Sequence, residues 1–484
     1  MRKVRMMLLA LLLGLGTMAS AQMISPVDFM RNNPRNVFAN PAFFTADYGY
    51  FDMALGGINI GVQNIGLKYR KFFKLNNKLH PVVLDLNEGV ASMRRNNYLN
   101  TNVAFDIFNC GRATKHGYFT YSHRFREMET FRYNREFFEL AVNGNASFMG
   151  EDHPARANYG VAARGYQEFN FGYQMSLTEK LNIGARFKFL MGYADAKSKA
   201  MNFKLVTDPD TYALSASGAI DVRATIPYQL SMHNGDVDIV DSRFNIANLF
   251  KNYGGGIDLG AEYKINDQIG VAAAVNDLGF IRWNNFSVRF VGQVNDAGDM
   301  FDEGSFVFQG LTTEQVQGFI DDPHYFSKLM DTIVHYFDLS SEALTGYTSG
   351  LNTTMMVRGY YDLTPEHRFS AQLTGYCSGI GLRPALTLAY TGSFQDKYDV
   401  VATYTMMPGN MLNLGVGLSA NLGGSLFYIA TNNVFGFINP ANTSSLHIQF
   451  GLSFTADWKE KREDKIVIRE KQLEEEQEEQ EEQY

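Results

Sequence analysis

Apolar and polar residues alternate along most of this chain with a period of two. In the stretch 169–177, Phe169, Phe171, Tyr173, Met175 and Leu177 alternate with Asn170, Gly172, Gln174 and Ser176. Over 257–266 the residues Ile257, Leu259, Ala261, Tyr263 and Ile265 share a face. Over 411–421, Leu412, Leu414, Val416, Leu418 and Ala420 oppose Asn413, Gly415, Gly417, Ser419 and Asn421. Over 445–457, Leu446, Ile448, Phe450, Leu452 and Phe454 oppose His447, Gln449, Gly451, Ser453 and Thr455. Successive side chains of a strand point to opposite faces, so each stretch predicts a strand with one apolar face. The first predicted strand, 49–63, changes phase at Gly56-Gly57. Phe51, Met53 and Leu55 precede the pair, whereas Ile58, Ile60 and Val62 follow it. A bulge at the glycines restores the facing.

The connections divide by length. Stretches 178–180, 266–268, 364–366 and 423–424 read as hairpin turns, whereas 64–100, 128–158 and 311–345 are long. Short turns at one end and long loops at the other are the habit of an outer-membrane barrel, whose short turns face the periplasm. If the strand ending at Asp457 runs towards the periplasm, the turns 364–366, 395–397 and 423–424 share that side, and loops 311–345 and 431–444 face outwards. The expected fold is an all-β, antiparallel transmembrane β-barrel of about 14 to 18 strands. A soluble sandwich also alternates. Here, however, the polar face is mostly Asn, Gln, Ser, Thr and Gly rather than Lys and Glu. The apolar face is rich in Phe, Tyr and Leu, which suits lipid contact with aromatic girdles.

The N-terminus fits that destination. Residues 1–21 have the form of a cleaved signal peptide, with Arg2, Lys3 and Arg5 ahead of an apolar run over 6–16 and Ala19-Ser20-Ala21 at the cut. Eleven apolar residues are too few for a membrane helix, which needs roughly 20. No later run is long enough either. Cys110 and Cys377 are the two cysteines, so the fold must hold by packing and strand pairing. The net charge is −8, without a basic groove for nucleic acid. Much of it lies in the segment 459–484, which carries eleven acidic and six basic residues. That segment reads as a solvated, acidic periplasmic tail, able to reach a periplasmic or secretion-system partner.

Catalytic signatures are missing: no Walker A loop, no H-E-x-x-H, no G-x-S-x-G. His123 and His447 read as satisfied lumen histidines. Asp236, Asp238 and Asp241, and separately Asp296, Asp299, Asp302 and Glu303, lack the ordered spacing of a calcium loop and read as solvated loops. The expectation is a protein that is not an enzyme and holds no metal and no cofactor. The most specific non-strand element is a helix over 322–337, with Asp322 as cap and Pro323 in its first turn. Phe326, Leu329, Met330, Ile333, Val334 and Phe337 form one apolar stripe on it. That stripe is a candidate lid or capture surface for an apolar ligand, or it packs on neighbouring loops.

Asn40-Pro41-Ala42-Phe43, just ahead of the first strand, resembles a segment shared by the FadL-like long-chain fatty-acid transporter barrels and by the outer-membrane shuttle of type IX secretion. Asn143-Gly144-Asn145, followed by the hairpin strand 181–192, is similar to a Bacteroidota outer-membrane barrel family related to both. The resemblance covers most of 40–458. It implies about 14 strands and an N-terminal segment, 22–47, tucked into the lumen of a barrel spanning 48–458 as a hatch, with Asn40, Pro41 and Ala42 as hatch positions. The function then expected is a channel or transporter for a small apolar molecule, in contact with outer-membrane lipid. The acidic tail departs from the transporter pattern and keeps a second class open, a scaffold barrel in a secretion or surface-protein assembly.

Overall fold

The computed structural model describes residues 24–46, 49–74, 83–211, 214–226, 229–233, 236–241, 251–284, 287–294, 340–378, 381–395 and 397–457. Fourteen strands form the barrel: β1 (Tyr50–Ile65), β2 (Asn96–Ala113), β3 (Tyr118–Asn134), β4 (Gly160–Ser176), β5 (Leu181–Thr207), β6 (Asn252–Lys264) and β7 (Ile269–Trp283), then β8 (Thr353–Asp362), β9 (His367–Ser378), β10 (Gly381–Phe394), β11 (Tyr398–Met407), β12 (Asn410–Leu422), β13 (Ser425–Thr431) and β14 (Ser445–Asp457). Each pairs antiparallel with its neighbours in chain order. Closure is made by β14 on β1, from Tyr50↔Asp457 to Gln63↔Ser445, so no barrel strand has a free edge.

All the predicted short turns lie at one end, together with the start of β1 and the end of β14. They are stitched to one another: Lys264 N–H donates to Lys180 O at 2.8 Å, Asp362 N–H to Gln268 O at 2.7 Å, Ser393 N–H to Glu366 O at 2.8 Å and Thr455 N–H to Gly424 O at 2.6 Å. The loop end is less uniform than a strict alternation predicts, because tight connections also join β9 to β10 and β11 to β12 there. On the opposite side of the same end the sheet is extended. The 27-residue β5 continues past the barrel and pairs with Leu214–Thr225, which pairs with Ser287–Val294 and onward to Ser340–Leu344.

Facing follows the alternation. On β12, Leu412, Leu414, Val416 and Leu418 are exposed while Asn413 and Ser419 are buried. Phe171, Phe187, Leu259, Phe280, Val357, Leu373, Leu388 and Phe427 continue the outer belt. Phe187 is 63% and Leu373 57% exposed, which in water would be a very large apolar patch and in a bilayer is simply the lipid face. Among the described residues no helix is long and apolar enough to cross a membrane; the crossing is made by strands. Gly56, with φ 79°, marks the bulge of β1: the register against β14 shifts between Ala54 and Gly57. β2 carries a matching shift between Asp106 and Phe108.

The predicted helix over 322–337, the segment 1–21 and the tail 459–484 lie outside the described residues, so the stripe Phe326, Leu329, Met330, Ile333, Val334 and Phe337 is not located.

A plugged lumen as the candidate functional site

Residues 24–46 run inside the barrel and join none of its strands. Two short 3-10 turns shape them. Ser25 caps Pro26–Phe29, accepting from Val27 N–H at 3.2 Å, and Asn33 caps Pro34–Phe38, accepting from Arg35 N–H at 3.0 Å. Proline opens both turns, where its missing N–H costs nothing and its fixed φ suits the bend.

The first half of this plug packs on an apolar wall. Ile24, Val27, Phe29 and Met30 meet Ala385 and Ala389 of β10, Val401 of β11, and Tyr428 and Ala430 of β13. Gly417 of β12 completes that wall: a Cβ there would come within 2.8 Å of both Pro26 Cβ and Met30 Cε. At the turn end Arg31 Nη1 donates to Pro365 O at 2.6 Å, and Asn32 N–H donates to Asp399 Oδ2 at 2.8 Å.

The second half packs on a polar wall. Asn40 Nδ2 donates to Ala261 O at 3.2 Å and Ala273 O at 3.3 Å, and its Oδ1 accepts from Ala42 N–H at 2.8 Å. Pro41 and Ala42 lie against Gly184 of β5, and Asn40 against Gly260 of β6; a Cβ on either glycine would collide with the plug backbone or the Asn40 side chain. Asn40 and Ala42 are fully buried. Phe43 then joins Ala272, Ala274 and Met356. Phe44 sits 5.5 Å, ring to ring, from Tyr50 and from Tyr118, with Gln174 donating to its carbonyl.

Between these contacts the polar wall carries one linked set of ion pairs, spread over β2 to β7. Asp106 takes Arg35 of the plug at 2.5 Å and Arg124 at 2.5 Å. Glu168 receives Arg124 and Arg126, each at 3.4 Å. Asp277 receives Arg126 at 2.9 Å and also pairs with Lys188. Asp258 receives Lys188 at 2.9 Å and Arg186 at 2.5 Å. Buried charges survive only when paired, and removing one partner costs about 3–5 kcal/mol. A bulge makes the arrangement reachable. Pairing of β6 with β7 shifts between Ile257 and Leu259, and Asp277 takes φ 60°, a conformation Asp tolerates better than most side chains. Two successive side chains therefore enter the lumen: Asn276 Nδ2 donates to Ala39 O at 2.7 Å, and Asp277 holds the cations.

Phe38 is seated at the centre. The Arg124 guanidinium carbon lies 4.1 Å from its ring centroid, that of Arg186 4.8 Å and that of Arg35 5.9 Å. Around this point a cavity of only ≈ 90 Å³ remains, room for water and not for a solute. Towards the loop end the lumen is closed again by Met128, Tyr166, Leu190, Ile281, Trp283, Tyr347 and Leu351. Two larger apolar hollows, ≈ 750 and ≈ 760 Å³, belong to the lipid face and not to the lumen.

Asn40, Pro41 and Ala42, singled out from sequence, are thus found together in the lumen. Sequence reasoning missed Arg35, Phe38 and the wall ion pairs. Its available signals were charged residues at lumen positions of alternating strands (Glu168, Arg186, Lys188, Asp258) and the broken alternation at Asn276-Asp277. His447 is a buried lumen residue that accepts from Asn432 N–H at 3.1 Å. His123 is not: it lies on the outer face of β3, stacked 4.2 Å from Phe169 and 3.1 Å from Gln167 Oε1, because β3 keeps its alternation unbroken from the exposed Phe119. Cys110 and Cys377 are free.

Fold and site define a transmembrane β-barrel whose lumen is closed by its own N-terminal segment. The chain belongs to the family of unknown function DUF5723, whose model matches residues 41–432. No curated protein matches it. Among solved structures it is similar to the Pseudomonas putida toluene transporter TodX, at 8% identity over 90% of this chain and 98% of that one, with a TM-score of 0.38. A Pseudomonas aeruginosa FadL homologue gives 9% identity over 91% and 99%, with a TM-score of 0.39. The Ralstonia pickettii toluene transporter TbuX gives 8% over 89% and 97%, with a TM-score of 0.31.

Proposed function

We propose that the protein is an outer-membrane channel for a small apolar molecule, gated by residues 24–46. In this reading residues 1–21 are a cleaved export signal, the turn end and the tail 459–484 face the periplasm, and Asn40, Pro41 and Ala42 are hatch positions. One observation carries it. The plug is held by side-chain contacts, caps and glycine sockets and takes no part in the strand ladder, so it can leave while every barrel pairing stays intact. Its departure would bare a lane of small, uncharged side chains along β10 to β13, Ala385, Ala389, Val401, Gly417 and Ala430 with Thr387, Thr391 and Thr403 between them. A lane of that character lets an apolar solute pass beside the charged wall without desolvating it.

The test is transport by reconstituted protein. A chain lacking residues 24–44 should still show heat-modifiable migration, and should pass toluene or a similar hydrocarbon across liposomes faster than the full chain. Equal, negligible passage by both would sink the channel reading and favour the scaffold class.

A further inference from the structure

The seat of Phe38 has more binding capacity than a phenyl side chain uses. Arg186 spends Nε and Nη2 on Asp258 at 2.9 and 2.5 Å, and its Nη1 has no acceptor. Arg35 spends Nη1 on Asp106, and its Nε and Nη2 have no acceptor. Both side chains are almost wholly buried, at 4% and 3% exposure, so these unmet donors are not excused by bulk water. In the linked set of ion pairs five cations (Arg35, Arg124, Arg126, Arg186, Lys188) share four carboxylates. The adjoining cavity of ≈ 90 Å³ is lined by Arg35, Phe38, Arg124 and Arg186 among others. A phenyl volume plus that cavity is the size of a ring bearing one carboxylate.

We propose that this seat is a binding site for a small aromatic carboxylate, whose planar ring takes the place of Phe38 between Arg124 and Arg186 and whose carboxylate meets the unmet donors of Arg186 and Arg35. The proposal rests on residues 24–46 being a removable plug. Phe38 is then the plug's own stand-in for the ligand ring: the guanidinium faces attract either ring by the same cation–π interaction, and a planar carboxylate matches guanidinium N–H groups two at a time. The ligand competes with the Phe38 ring alone and keeps Arg35 as a partner, so its arrival loosens the stretch around Phe38 while the contacts before Arg35 stay in place.

Calorimetric titration of the detergent-purified full chain with benzoate tests this, with cyclohexanecarboxylate (an acid without a planar ring) and toluene (a ring without an acid) as comparators. Benzoate should bind best. Phe38→Ala should bind it about tenfold more tightly, the side chain no longer having to be displaced, and Arg186→Gln should lose the preference for benzoate. Equal affinity for benzoate and either comparator in Phe38→Ala, or no benzoate binding, would overturn the site. Bilayer conductance of Phe38→Ala reports the plug separately. Raised conductance without benzoate selectivity leaves the channel reading standing and removes the ligand. Conductance of a folded chain lacking residues 24–44 equal to that of the unsubstituted chain removes the plug reading itself.

Discussion

Gly184→Ala separates the plug from the barrel with one methyl group. The glycine lies on β5, paired with Gln174 of β4 and Gly260 of β6, and its backbone is ordinary extended strand, so alanine suits the ladder. Its Cβ, however, would collide with the Pro41 carbonyl and sit 2.7 Å from Ala42 N. Both are main-chain atoms that cannot rotate away. Overpacking of this kind costs about 1–3 kcal/mol. A retreat of the plug also stretches the two Asn40 hydrogen bonds, 3.2 and 3.3 Å long, worth about 0.5–1.5 kcal/mol each. A combined loss of about 2–6 kcal/mol shifts the closed-to-open ratio roughly 30- to 20,000-fold at about 1.4 kcal/mol per decade. Arg35 is buried when the plug is docked, so the rate of tryptic cleavage after Arg35, followed by mass spectrometry, reads the open population directly. Cleavage and conductance should rise together while heat-modifiable migration stays unchanged. Unaltered cleavage in a folded Gly184→Ala barrel would refute the socket argument.

Other expectations follow from the same geometry. Leu414→Arg or Val416→Arg places a charge on the outer face and should cost about 2–4 kcal/mol near the midplane, seen as reduced assembly into liposomes. Ser453→Ala on the lumen side of β14, whose buried hydroxyl has no hydrogen-bond partner, should cost under about 1.5 kcal/mol; equal effects would mean the facing is wrong. (Gly415, although lumenal, is a poor comparator, because a Cβ there meets the Thr403 hydroxyl and lies 2.9 Å from Thr431 O.) Asp277→Asn keeps a side chain that accepts φ 60° but leaves Lys188 and Arg126 short of a carboxylate, and should lower the unfolding free energy by about 3–5 kcal/mol in a urea titration. In the docked plug, burial pushes the Asp28 carboxyl from 3.8 up to about 6, against the pull of the Ser25 N–H and of Arg358. Docking thus favours the protonated form: it is strongest below about pH 4, weakens as the pH rises to about 6, and is level above. Conductance should climb over that window, and Asp28→Asn should flatten the profile.

Much of the barrel was legible because a strand buried on one face writes its orientation into every second residue. Even the phase change at Gly56-Gly57 was readable, since the apolar set moves from odd to even positions there. The strand number was less determined by pattern. β5 runs on past the barrel and Leu214–Thr225 and Ser287–Val294 alternate too, so lumen strands and loop-end strands look alike one at a time. The site was legible only at Asn40-Pro41-Ala42. Its ion pairs join residues 89 apart (Lys188 and Asp277) or 151 apart (Arg126 and Asp277), and a local pattern carries no information about such partners until the register of the six strands β2 to β7 is known. Phe38 gave no signal at all, being one aromatic residue among many.

The plug is continuous with β1, and in the proposed channel this would set the character of reopening and reclosing. From Ile24 to Tyr50 the chain has enough residues to extend roughly 90 Å at about 3.4 Å each, so a released plug stays leashed at the mouth it left. Reclosing is then a unimolecular search at an effective concentration on the order of millimolar, the range of short flexible linkers. No second protein is needed to reseal the membrane, and the pore cannot be lost open by dilution. The same leash sets a threshold: a solute competing for the lumen must either accumulate to comparable levels or bind more tightly than the plug does. In the proposed channel, opening would then follow the local abundance of the cargo, with the pH response of Asp28 setting the level at which it begins.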